Sequence, residues 1–364
     1  MNILLVSTHL NTGGITSYLF TLTKGLVKRG HSVHVATSGG NMENEFLSAG
    51  AKLINLNIRT KSELDPRIYL ALKPLKDTIE KNDINIIHGQ TRITQVMGSL
   101  LQRATGRPFV STCHGFFKAR LSRKWAPCWG EAVIAISSAV ERHLAEDFAV
   151  ARQKIHLIES GVDTDEFVPV DGTLKQELRN RFNLGNDPTL GMIARLSDVK
   201  GPDILIESMK YVCAHIRNAR LLLVGEGRME KGLRAMVDRL GLMDHVRFFS
   251  IVNKTNEMLS LLDIFVMPSR QEGLGLSIME AQAAGVPVIA SRVGGIPSLI
   301  KDGVTGILVE PENPVALAKA IIKLFEDKNR MSAIGKAGRV FIQRNYSADR
   351  MIDKTVKLYE SLLT

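Results

Sequence analysis

The sequence predicts an α/β protein of two domains, each with a parallel sheet and crossover helices. Three observations predict this fold class. The 364 residues are about twice the length of a common domain. Short apolar, β-branched runs alternate with amphipathic stretches along the chain, which is typical of buried parallel strands joined by helices. The segment 161–173, rich in Gly, Asp and Pro, interrupts the alternation and places a boundary between 1–165 and 166–346.

In the first half, six apolar runs flanked by turn residues predict strands. They are Ile3–Val6, Ser32–Thr37, Lys52–Leu56, Ile84–His88, Phe109–Thr112 and Ala132–Ile136. The amphipathic stretch Ser17–Lys28 predicts a helix between the first two strands, which indicates parallel pairing.

The second half repeats the alternation. Strands are predicted at Thr189–Ile193, Arg220–Val224, Val246–Phe248, Ile264–Met267, Val286–Ala290 and Gly306–Val309. Helices are predicted at Pro202–Ala214, Met229–Leu240 and Leu276–Ala284. Because ligands of open α/β sheets bind beyond the carboxyl ends of the strands, we expect a site in a cleft between the domains.

The composition excludes several classes of protein. Apolar residues make up 45% of the chain and charged residues 23%, which is ordinary for a folded globular protein. No apolar run approaches the roughly 18–20 residues that cross a bilayer, and Ile3–Val6 is too short for a signal peptide. Cys113, Cys128 and Cys213 are odd in number and form no CxxC zinc pattern. We therefore expect a cytoplasmic protein with reduced thiols.

Positive charge is concentrated in one stretch. The net charge is +10, and residues 84–130 hold no acid but seven bases: Arg92, Arg103, Arg107, Lys118, Arg120, Arg123 and Lys124. Four aromatic residues are interleaved: Phe116, Phe117, Trp125 and Trp129. This pattern suits peripheral binding of the first domain to an anionic membrane, or it is a solvated basic face beside core aromatics. No helix-turn-helix, zinc-finger or RNP pattern accompanies it, so we expect no nucleic-acid partner.

A glycine-rich motif follows the predicted strand that ends near Pro268. Gly273 and Gly275 let the backbone approach a ligand closely. Leu276 and Ser277 then begin an apolar helix, where unpaired N–H donors and the helix dipole favour an anion such as phosphate.

Two glutamates belong to this motif and are eight residues apart. Glu272 precedes the helix and can face the cleft, whereas Glu280 lies about one turn inside the helix. A carboxylate there can accept hydrogen bonds from both hydroxyls of a vicinal diol, such as a ribose. The alternative is that both glutamates are merely solvated.

Two cations lie five residues apart on the loop that joins the strand ending at Ile193 to the helix beginning near Pro202. Arg195 offers a bidentate fork and Lys200 a point charge, which together can clamp a diphosphate without a metal. The alternative is a pair of solvated loop cations.

Other features are weaker by themselves. Gly13 and Gly14 lie in a loop between the first strand and the first helix, and Gly225-Glu226-Gly227 follows a strand, but neither is a Rossmann or Walker A motif. His114 ends a strand, where it either projects toward the cleft or is a packed or capping histidine. Asp163-Thr-Asp165 has the spacing of a metal-binding DxD motif, but it lies in the boundary segment and favours a turn or cap.

On these residues the chain resembles the retaining glycosyltransferases of family 4. Their fold is GT-B, in which two Rossmann-like βαβ domains face across a cleft. The resemblance covers essentially the whole chain and is most specific in the second half, in Arg195 with Lys200, VGEG at 224–227, EGLGLSIMEA at 272–281 and GVPVIASRVGG at 285–295. GVDTDEF at 161–167 matches the family's entry into the second domain, whereas Ser298 stands where the family usually carries Glu.

The resemblance implies a hexosyltransferase-type reaction that uses a nucleotide diphospho-sugar as donor and needs no metal or other cofactor. Glu280 would hold the ribose, and Arg195 and Lys200 would neutralise the diphosphate. Glu272 would hold donor-sugar hydroxyls, and His114 would contact the sugar and support positive charge at its anomeric carbon. The remaining donor-binding positions would be Gly14, Gly225, Glu226, Gly273, Leu274, Gly275, Leu276 and Ser277.

The resemblance also implies how the first domain is used. Its loops would bind the acceptor, a lipid-linked or cell-envelope glycan, and the amphipathic helix Ser347–Leu363 would pack back on this domain. Two other classes stay open: a nucleotide-sugar epimerase or phosphorylase of the same architecture, and a non-catalytic sugar-nucleotide-binding subunit. The sequence shows no signature of acid–base groups at a sugar ring and no pyridoxal-binding lysine.

Overall fold

The computed structural model describes residues 1–118, 123, 125–250 and 255–364. It divides into two units. The N-terminal unit comprises Met1–Gly161 and Ala348–Thr364, and the C-terminal unit comprises Val162–Ser347.

The N-terminal unit is built on a seven-stranded parallel sheet with the order β3-β2-β1-β4-β5-β6-β7. The strands are β1 (Asn2–Val6), β2 (Ser32–Thr37), β3 (Lys52–Asn55), β4 (Ile86–Gly89), β5 (Phe109–Cys113), β6 (Ala132–Ala135) and β7 (Ile155–Leu157). Consecutive residues of the central strands are all buried, because helices cover both faces of the sheet. This explains why the strands are continuous apolar runs in the sequence.

Six described helices precede the boundary of this unit: α1 (Gly14–Lys28), α2 (Glu43–Ser48), α3 (Pro66–Leu70), α4 (Leu72–Lys81), α5 (Arg92–Thr105) and α6 (Ser138–Asp147). The C-terminal helix, which we number α15 (Ala348–Ser361), packs on α1. A Cβ at Gly25 would lie 1.9 Å from Ile352, so the absence of a side chain there lets the two helices approach. Arg29 forms ion pairs with Asp349 at 3.0 Å and Asp353 at 2.6 Å at the rim of this contact.

The C-terminal unit has a six-stranded parallel sheet with the order β10-β9-β8-β11-β12-β13. The strands are β8 (Thr189–Ile193), β9 (Arg220–Val224), β10 (Val246–Phe249), β11 (Ile264–Met267), β12 (Val288–Ser291) and β13 (Ile307–Val309). The described helices are α7 (Gly172–Arg181), α8 (Pro202–His215), α9 (Glu230–Arg239), α10 (Thr255–Ser260), α11 (Leu276–Ala283), α12 (Ile296–Leu299), α13 (Pro314–Glu326) and α14 (Lys328–Asn345).

The predicted α/β class with two parallel sheets is confirmed. The pattern missed β7, which is a three-residue strand at the sheet edge and too short to show a period. Helix α1 begins at Gly14, three residues before the predicted start, because its N-cap is the extended Gly13 rather than a polar capping residue. None of the described helices is long and apolar enough to span a bilayer.

Candidate active site

In the C-terminal unit, the Lys200 ammonium donates a hydrogen bond to the Glu272 carboxylate. Lys200 lies in the loop after β8 and Glu272 in the loop after β11, two strands that are neighbours in the sheet. The Lys200 side chain is 19% exposed and that of Glu272 is 10% exposed. A buried charge needs a partner, but an incoming anion or hydroxyl can replace either partner of this pair at its exposed edge.

Three contacts hold these two loops together. Gly201 has a φ of +67°, and a Cβ there would come within 2.1 Å of the Pro268 carbonyl oxygen. The Arg270 amide donates to the Val199 carbonyl oxygen at 2.9 Å. The Arg270 guanidinium also forms a bidentate pair with the Asp203 carboxylate, at 2.9 and 2.7 Å. The approach of Lys200 to Glu272 is therefore fixed by the backbone and by a second ion pair.

The loop after β9 lies equally close to the loop after β8. Gly225 has a φ of +142°, and a Cβ there would lie 2.0 Å from the Ala194 carbonyl oxygen. The Leu196 amide donates to the Glu226 carbonyl oxygen at 2.9 Å, while the Glu226 side chain is exposed. The close approach of the backbone at Gly225 to the backbone of the loop after β8 therefore requires a glycine there, independently of any contact with a ligand.

Helix α11 begins without a side-chain cap. Its N-cap is Gly275, with a φ of +110°. Within the part of the chain that the structure describes, the amides of Leu276 and Ser277 have no hydrogen-bond partner, and both residues are half-buried. Gly273 and Leu274 before them are buried. The helix thus presents two unpaired N–H donors at its positive end, which is the arrangement that binds phosphate.

Glu280 lies on the first turns of the same helix and is half-buried. Burial raises the pKa of its carboxyl group to about 7, and the nearby charge of Glu166 raises it in the same direction. A carboxyl group that is half-ionised near neutral pH is suited to exchange hydrogen bonds with a diol.

Arg195 lies on the same loop as Lys200, and its side chain is exposed. No hydrogen bond joins its guanidinium to any described residue. Lys200, Glu272 and the start of α11 therefore lie in loops that follow the neighbouring strands β8 and β11 and contact each other. Arg195 lies on the same loop as Lys200 with an exposed side chain.

In the N-terminal unit, His114 follows β5 and is held by two neighbours. Its Nε2 is 2.9 Å from Oε1 of Gln90, which follows β4. The Tyr18 ring packs edge-on against the imidazole, with ring centroids 4.8 Å apart. Burial lowers the pKa of His114 to about 3, so the imidazole is neutral at physiological pH. Since an amide oxygen only accepts, Nε2 carries the hydrogen and Nδ1 keeps its lone pair.

The first glycine loop is fixed by the loop after β2. Gly14 opens α1 and is exposed. Before it, the Thr12 amide donates to Asn41 Oδ1 at 2.8 Å, and the Asn41 side-chain amide donates to Thr12 Oγ1 at 3.0 Å. These two hydrogen bonds tie Thr12 to the loop after β2, next to the exposed Gly13 and Gly14.

Asp163 behaves as a cap. Its Oδ1 accepts hydrogen bonds from the amides of Asp165 at 3.1 Å and Glu166 at 3.3 Å. No cluster of three or more His, Cys, Asp or Glu side chains that could hold a metal occurs among the described residues.

Several described bases of the basic stretch are packed or paired with acids. Arg123 is only 9% exposed and lies 3.9 Å from the centre of the Phe117 ring, and Trp129 is 6% exposed. Arg92 and Arg107 form ion pairs with Glu63 and Asp83. Trp125, in contrast, is 86% exposed, and Arg103 and Lys118 are exposed bases. The expectation that Arg123 and Trp129 face a membrane is therefore wrong, because both are packed among aromatic side chains. Arg120 and Lys124 lie outside the described residues.

Sequence reasoning missed two residues that build these sites. Gln90 orients His114, and its only signal is a polar residue placed directly after a buried strand. Arg270 joins the two loops of the C-terminal unit, and it opens the same motif that contains Glu272. In both cases the partner is distant in sequence, at His114 and at Asp203.

Comparison with known proteins follows the division of the chain. The model of the family described as Glycosyltransferase Family 4 matches residues 12–166, and that of Glycosyl transferases group 1 matches residues 175–341. A GDP-mannose-dependent alpha-(1-6)-phosphatidylinositol monomannoside mannosyltransferase from Mycolicibacterium smegmatis is 30% identical over 354 residues, covering 92% of this chain and 91% of the relative. The chain belongs to the group 1 glycosyltransferases.

Solved structures agree on the fold of this glycosyltransferase. A glycosyltransferase from Rickettsia africae superposes with a TM-score of 0.88 and 25% identity, over 100% of this chain and 98% of the other. HepE from Anabaena, solved in complex with UDP-glucose, superposes with a TM-score of 0.89 and 21% identity, over 99% of this chain and 100% of the other. The GT-B architecture expected from the sequence is confirmed.

Proposed function

We propose that this glycosyltransferase moves a hexosyl group from a nucleotide diphospho-sugar to a hydroxyl of a lipid-linked or cell-envelope glycan, with retention of configuration and without a metal. The observation that carries the proposal is the Lys200–Glu272 pair beside the unpaired amides of α11. A cation, two N–H donors and a hydrogen-bond acceptor in one set of loops match the diphosphate and sugar of such a donor.

Different residues of these loops bind different parts of the donor. Lys200, Arg195 and the amides of Leu276 and Ser277 stabilise the charge that grows on the departing diphosphate. Glu280 accepts hydrogen bonds from the ribose hydroxyls. When the donor binds, the diphosphate takes over Lys200, and Glu272 becomes free to accept hydrogen bonds from sugar hydroxyls.

The transfer itself needs a proton acceptor for the attacking hydroxyl. The bond between the anomeric carbon and the diphosphate oxygen breaks first, and its electron pair stays on the diphosphate. The acceptor oxygen then bonds to the same face of the sugar, and its proton passes to the departing diphosphate oxygen. A leaving group held by fixed cations therefore serves as both the stabilised anion and the base.

His114 supports this reaction as a neutral group. Its low pKa excludes an imidazolium, and its Nε2 hydrogen is engaged by Gln90. The free Nδ1 lone pair can accept a hydrogen bond from a substrate hydroxyl. A neutral acceptor does not oppose the positive charge that develops at the anomeric carbon.

The nature of the acceptor is supported by relatives. The Mycolicibacterium smegmatis relative is named for a phosphatidylinositol monomannoside, which is a glycolipid, and for GDP-mannose as donor. HepE was solved with UDP-glucose. These names support a lipid-linked acceptor and a nucleotide diphospho-sugar donor for this chain, and a panel of UDP- and GDP-sugars is the appropriate probe.

The test is release of nucleoside diphosphate by the purified chain, with each donor tried with and without a glycolipid acceptor. We expect release that depends on the acceptor, and a product whose anomeric configuration, read by NMR, equals that of the donor. Sugar epimerised without release would favour an epimerase, and release that requires inorganic phosphate would favour a phosphorylase. Binding without turnover would favour a non-catalytic subunit.

We propose as a second property that the N-terminal unit binds anionic membranes through an exposed apolar patch, Leu64 with Trp125. The Arg92 guanidinium donates to the Glu63 carboxylate at 2.8 Å and to the Ala126 carbonyl at 2.7 Å, so it joins the two segments that carry these side chains. Leu64 is 83% exposed and Trp125 is 86% exposed. Exposed bases lie near each of them in the sequence: Arg59 and Lys61 near Leu64, and Lys118 near Trp125. Exposed apolar side chains flanked by bases in the sequence suit binding to a membrane surface.

Co-sedimentation with liposomes tests this property. Wild-type protein should bind liposomes containing anionic lipid, and binding should weaken as salt is raised. The double variant Leu64→Ser with Trp125→Ser should lose binding, whereas Val304→Ser, which alters an exposed apolar residue of the C-terminal unit, should retain it. Equal binding to neutral and anionic liposomes, or binding to neither, would contradict the proposal.

A further inference from the structure

A buried chain of polar side chains connects helix α15 to the strands that carry His114. The Tyr359 hydroxyl lies 2.6 Å from Nδ1 of His88 on β4. Nε2 of the same imidazole lies 2.7 Å from Oγ1 of Thr112 on β5. All three side chains are completely buried. Nothing in the proposed donor chemistry explains why polar groups occupy the interior here.

The direction of these hydrogen bonds follows from the state of His88. Burial lowers the pKa of His88 to about 3, and the nearby His114 lowers it further. A neutral imidazole has one donor and one acceptor nitrogen. Because a phenol is a stronger acid than an aliphatic hydroxyl, Tyr359 donates to Nδ1, and the Nε2 hydrogen is donated to Thr112. His88 therefore links the two hydroxyls in one fixed orientation.

The hydrogen-bonded pair His88–Thr112 precedes the pair Gln90–His114 by two residues on each strand. Side chains two residues apart in a strand point to the same face, so His88 shares a face with Gln90 and Thr112 shares one with His114. The His88–Thr112 bond and the Gln90–His114 bond therefore form two successive rungs between the same strands.

Tyr18 completes the link to His114. Its ring packs against the His114 imidazole, and its hydroxyl is buried. Burial is the largest effect on this hydroxyl and raises its pKa to about 12, so it stays protonated. Tyr18 is therefore a second neighbour of His114, beside Gln90.

We propose that Tyr359, His88 and Thr112 are positioning residues for His114. They hold β4 and β5 so that Gln90 meets Nε2 of His114 and the Nδ1 lone pair stays directed at substrate. Through Tyr359, the C-terminal helix becomes part of the active-site structure of the N-terminal unit. The inference rests on the proposed function, in which His114 accepts a substrate hydrogen bond.

The test uses variants of the full chain that keep shape and remove a hydroxyl. Thr112→Val and Tyr359→Phe should each lower kcat about 5- to 30-fold, with the donor KM changed less than about twofold, since a hydrogen bond that orients a group is lost. Thr112→Ser keeps the hydroxyl and should retain near wild-type kcat. Thr37→Val is the matched control, because Thr37 is a buried strand threonine whose hydroxyl has no hydrogen-bond partner among the described residues.

A second readout is independent of turnover. In 15N NMR of the imidazoles, wild-type His114 should be a single Nε2–H tautomer, and Thr112→Val should give a mixture of the two tautomers. Wild-type kcat and an unchanged His114 spectrum in Thr112→Val and Tyr359→Phe would overturn the inference. If one variant fails to fold, the other carries the same test.

The variant His114→Ala distinguishes failure of the positioning role from failure of the proposed role of His114. If it abolishes turnover while the positioning variants remain fully active, the inference fails and the proposed role of His114 stands. If His114→Ala itself is fully active, the proposed role of His114 fails and this inference fails with it.

Discussion

The Lys200 ammonium and the Glu272 carboxylate form a hydrogen-bonded ion pair between two loops of the C-terminal unit. Each group thereby gives the other a partner of opposite charge, so neither charge is buried alone. In the proposed function, a nucleotide diphospho-sugar competes for both groups, with its diphosphate at Lys200 and its sugar hydroxyls at Glu272.

This competition makes a prediction for Glu272→Gln. With the carboxylate charge removed, Lys200 should bind a free nucleoside diphosphate about 3- to 10-fold more tightly, since about 1 kcal/mol of competing attraction is lost. Turnover of the sugar donor should fall about 10- to 100-fold, because the sugar loses a charged acceptor. Isothermal titration and steady-state kinetics measure the two effects. Glu177→Gln, which changes an exposed residue of α7, is the control. Weaker diphosphate binding by Glu272→Gln would contradict competition between Glu272 and the diphosphate for Lys200.

The two glutamates should separate by role. Glu280→Ala should chiefly weaken nucleotide affinity, since a ribose contact is the same in the ground and transition states. Glu272→Ala should chiefly lower kcat. Measurement of KM and kcat for both variants tests this assignment. Identical kinetic defects in the two variants would contradict separate roles for Glu272 and Glu280.

Glu280 should also make stability depend on pH. Its folded-state pKa, about 7, lies above its ordinary value of 4.5. The protonated form therefore stabilises the fold fully below about pH 4.5, and this stabilisation is lost as the pH rises through 7. Glu280→Gln should raise the free energy of unfolding by about 1–3 kcal/mol at pH 8 and by little at pH 5. Urea unfolding at both pH values measures this, and an equal effect at pH 5 and pH 8 would show that ionisation of Glu280 is not the cause.

The same ionisation should govern donor binding. Below about pH 7 the Glu280 carboxyl group is protonated and loses part of its capacity to accept ribose hydrogen bonds. Nucleotide affinity of the wild type should therefore fall as the pH is lowered from 8 to 6. Glu280→Gln should bind weakly at both pH values, and a parallel fall in the variant would assign the pH dependence to another group.

Metal independence can be tested with chelator. Excess EDTA should leave turnover intact, because the proposed function assigns the charge stabilisation to Lys200, Arg195 and the α11 amides. Asp163→Ala should cost about 1 kcal/mol of stability, through the lost cap, and little activity. Activity that is lost with chelator and restored by manganese would reverse this assignment.

The strands could be predicted from the sequence because they are buried on both faces. A run such as Ile264–Met267 is apolar throughout, and no period needs to be resolved to recognise it. The edge strand Ile155–Leu157 is only half-buried and three residues long, so its sequence differs little from that of a loop.

The candidate site could be predicted where one motif contains all its parts, as from Glu272 to Glu280. Contacts between motifs could not, because they depend on which strands are neighbours. The pairing of Lys200 with Glu272 and of His114 with Gln90 follows from the strand orders β8-β11 and β4-β5. The burial of Trp129 could not be predicted either, because an aromatic residue next to bases in the sequence occurs both in cores and on surfaces.

The most direct test of the account is the turnover of Lys200→Ala, measured as release of nucleoside diphosphate under saturating donor and acceptor. Lys319→Ala, an exposed lysine on α13, is the matched control. A charge-assisted contact to the leaving diphosphate is worth about 1.5–3 kcal/mol, so kcat should fall roughly 10- to 100-fold in Lys200→Ala and stay near wild type in the control. Near wild-type kcat in a folded Lys200→Ala variant would contradict the claim that this lysine stabilises the leaving group.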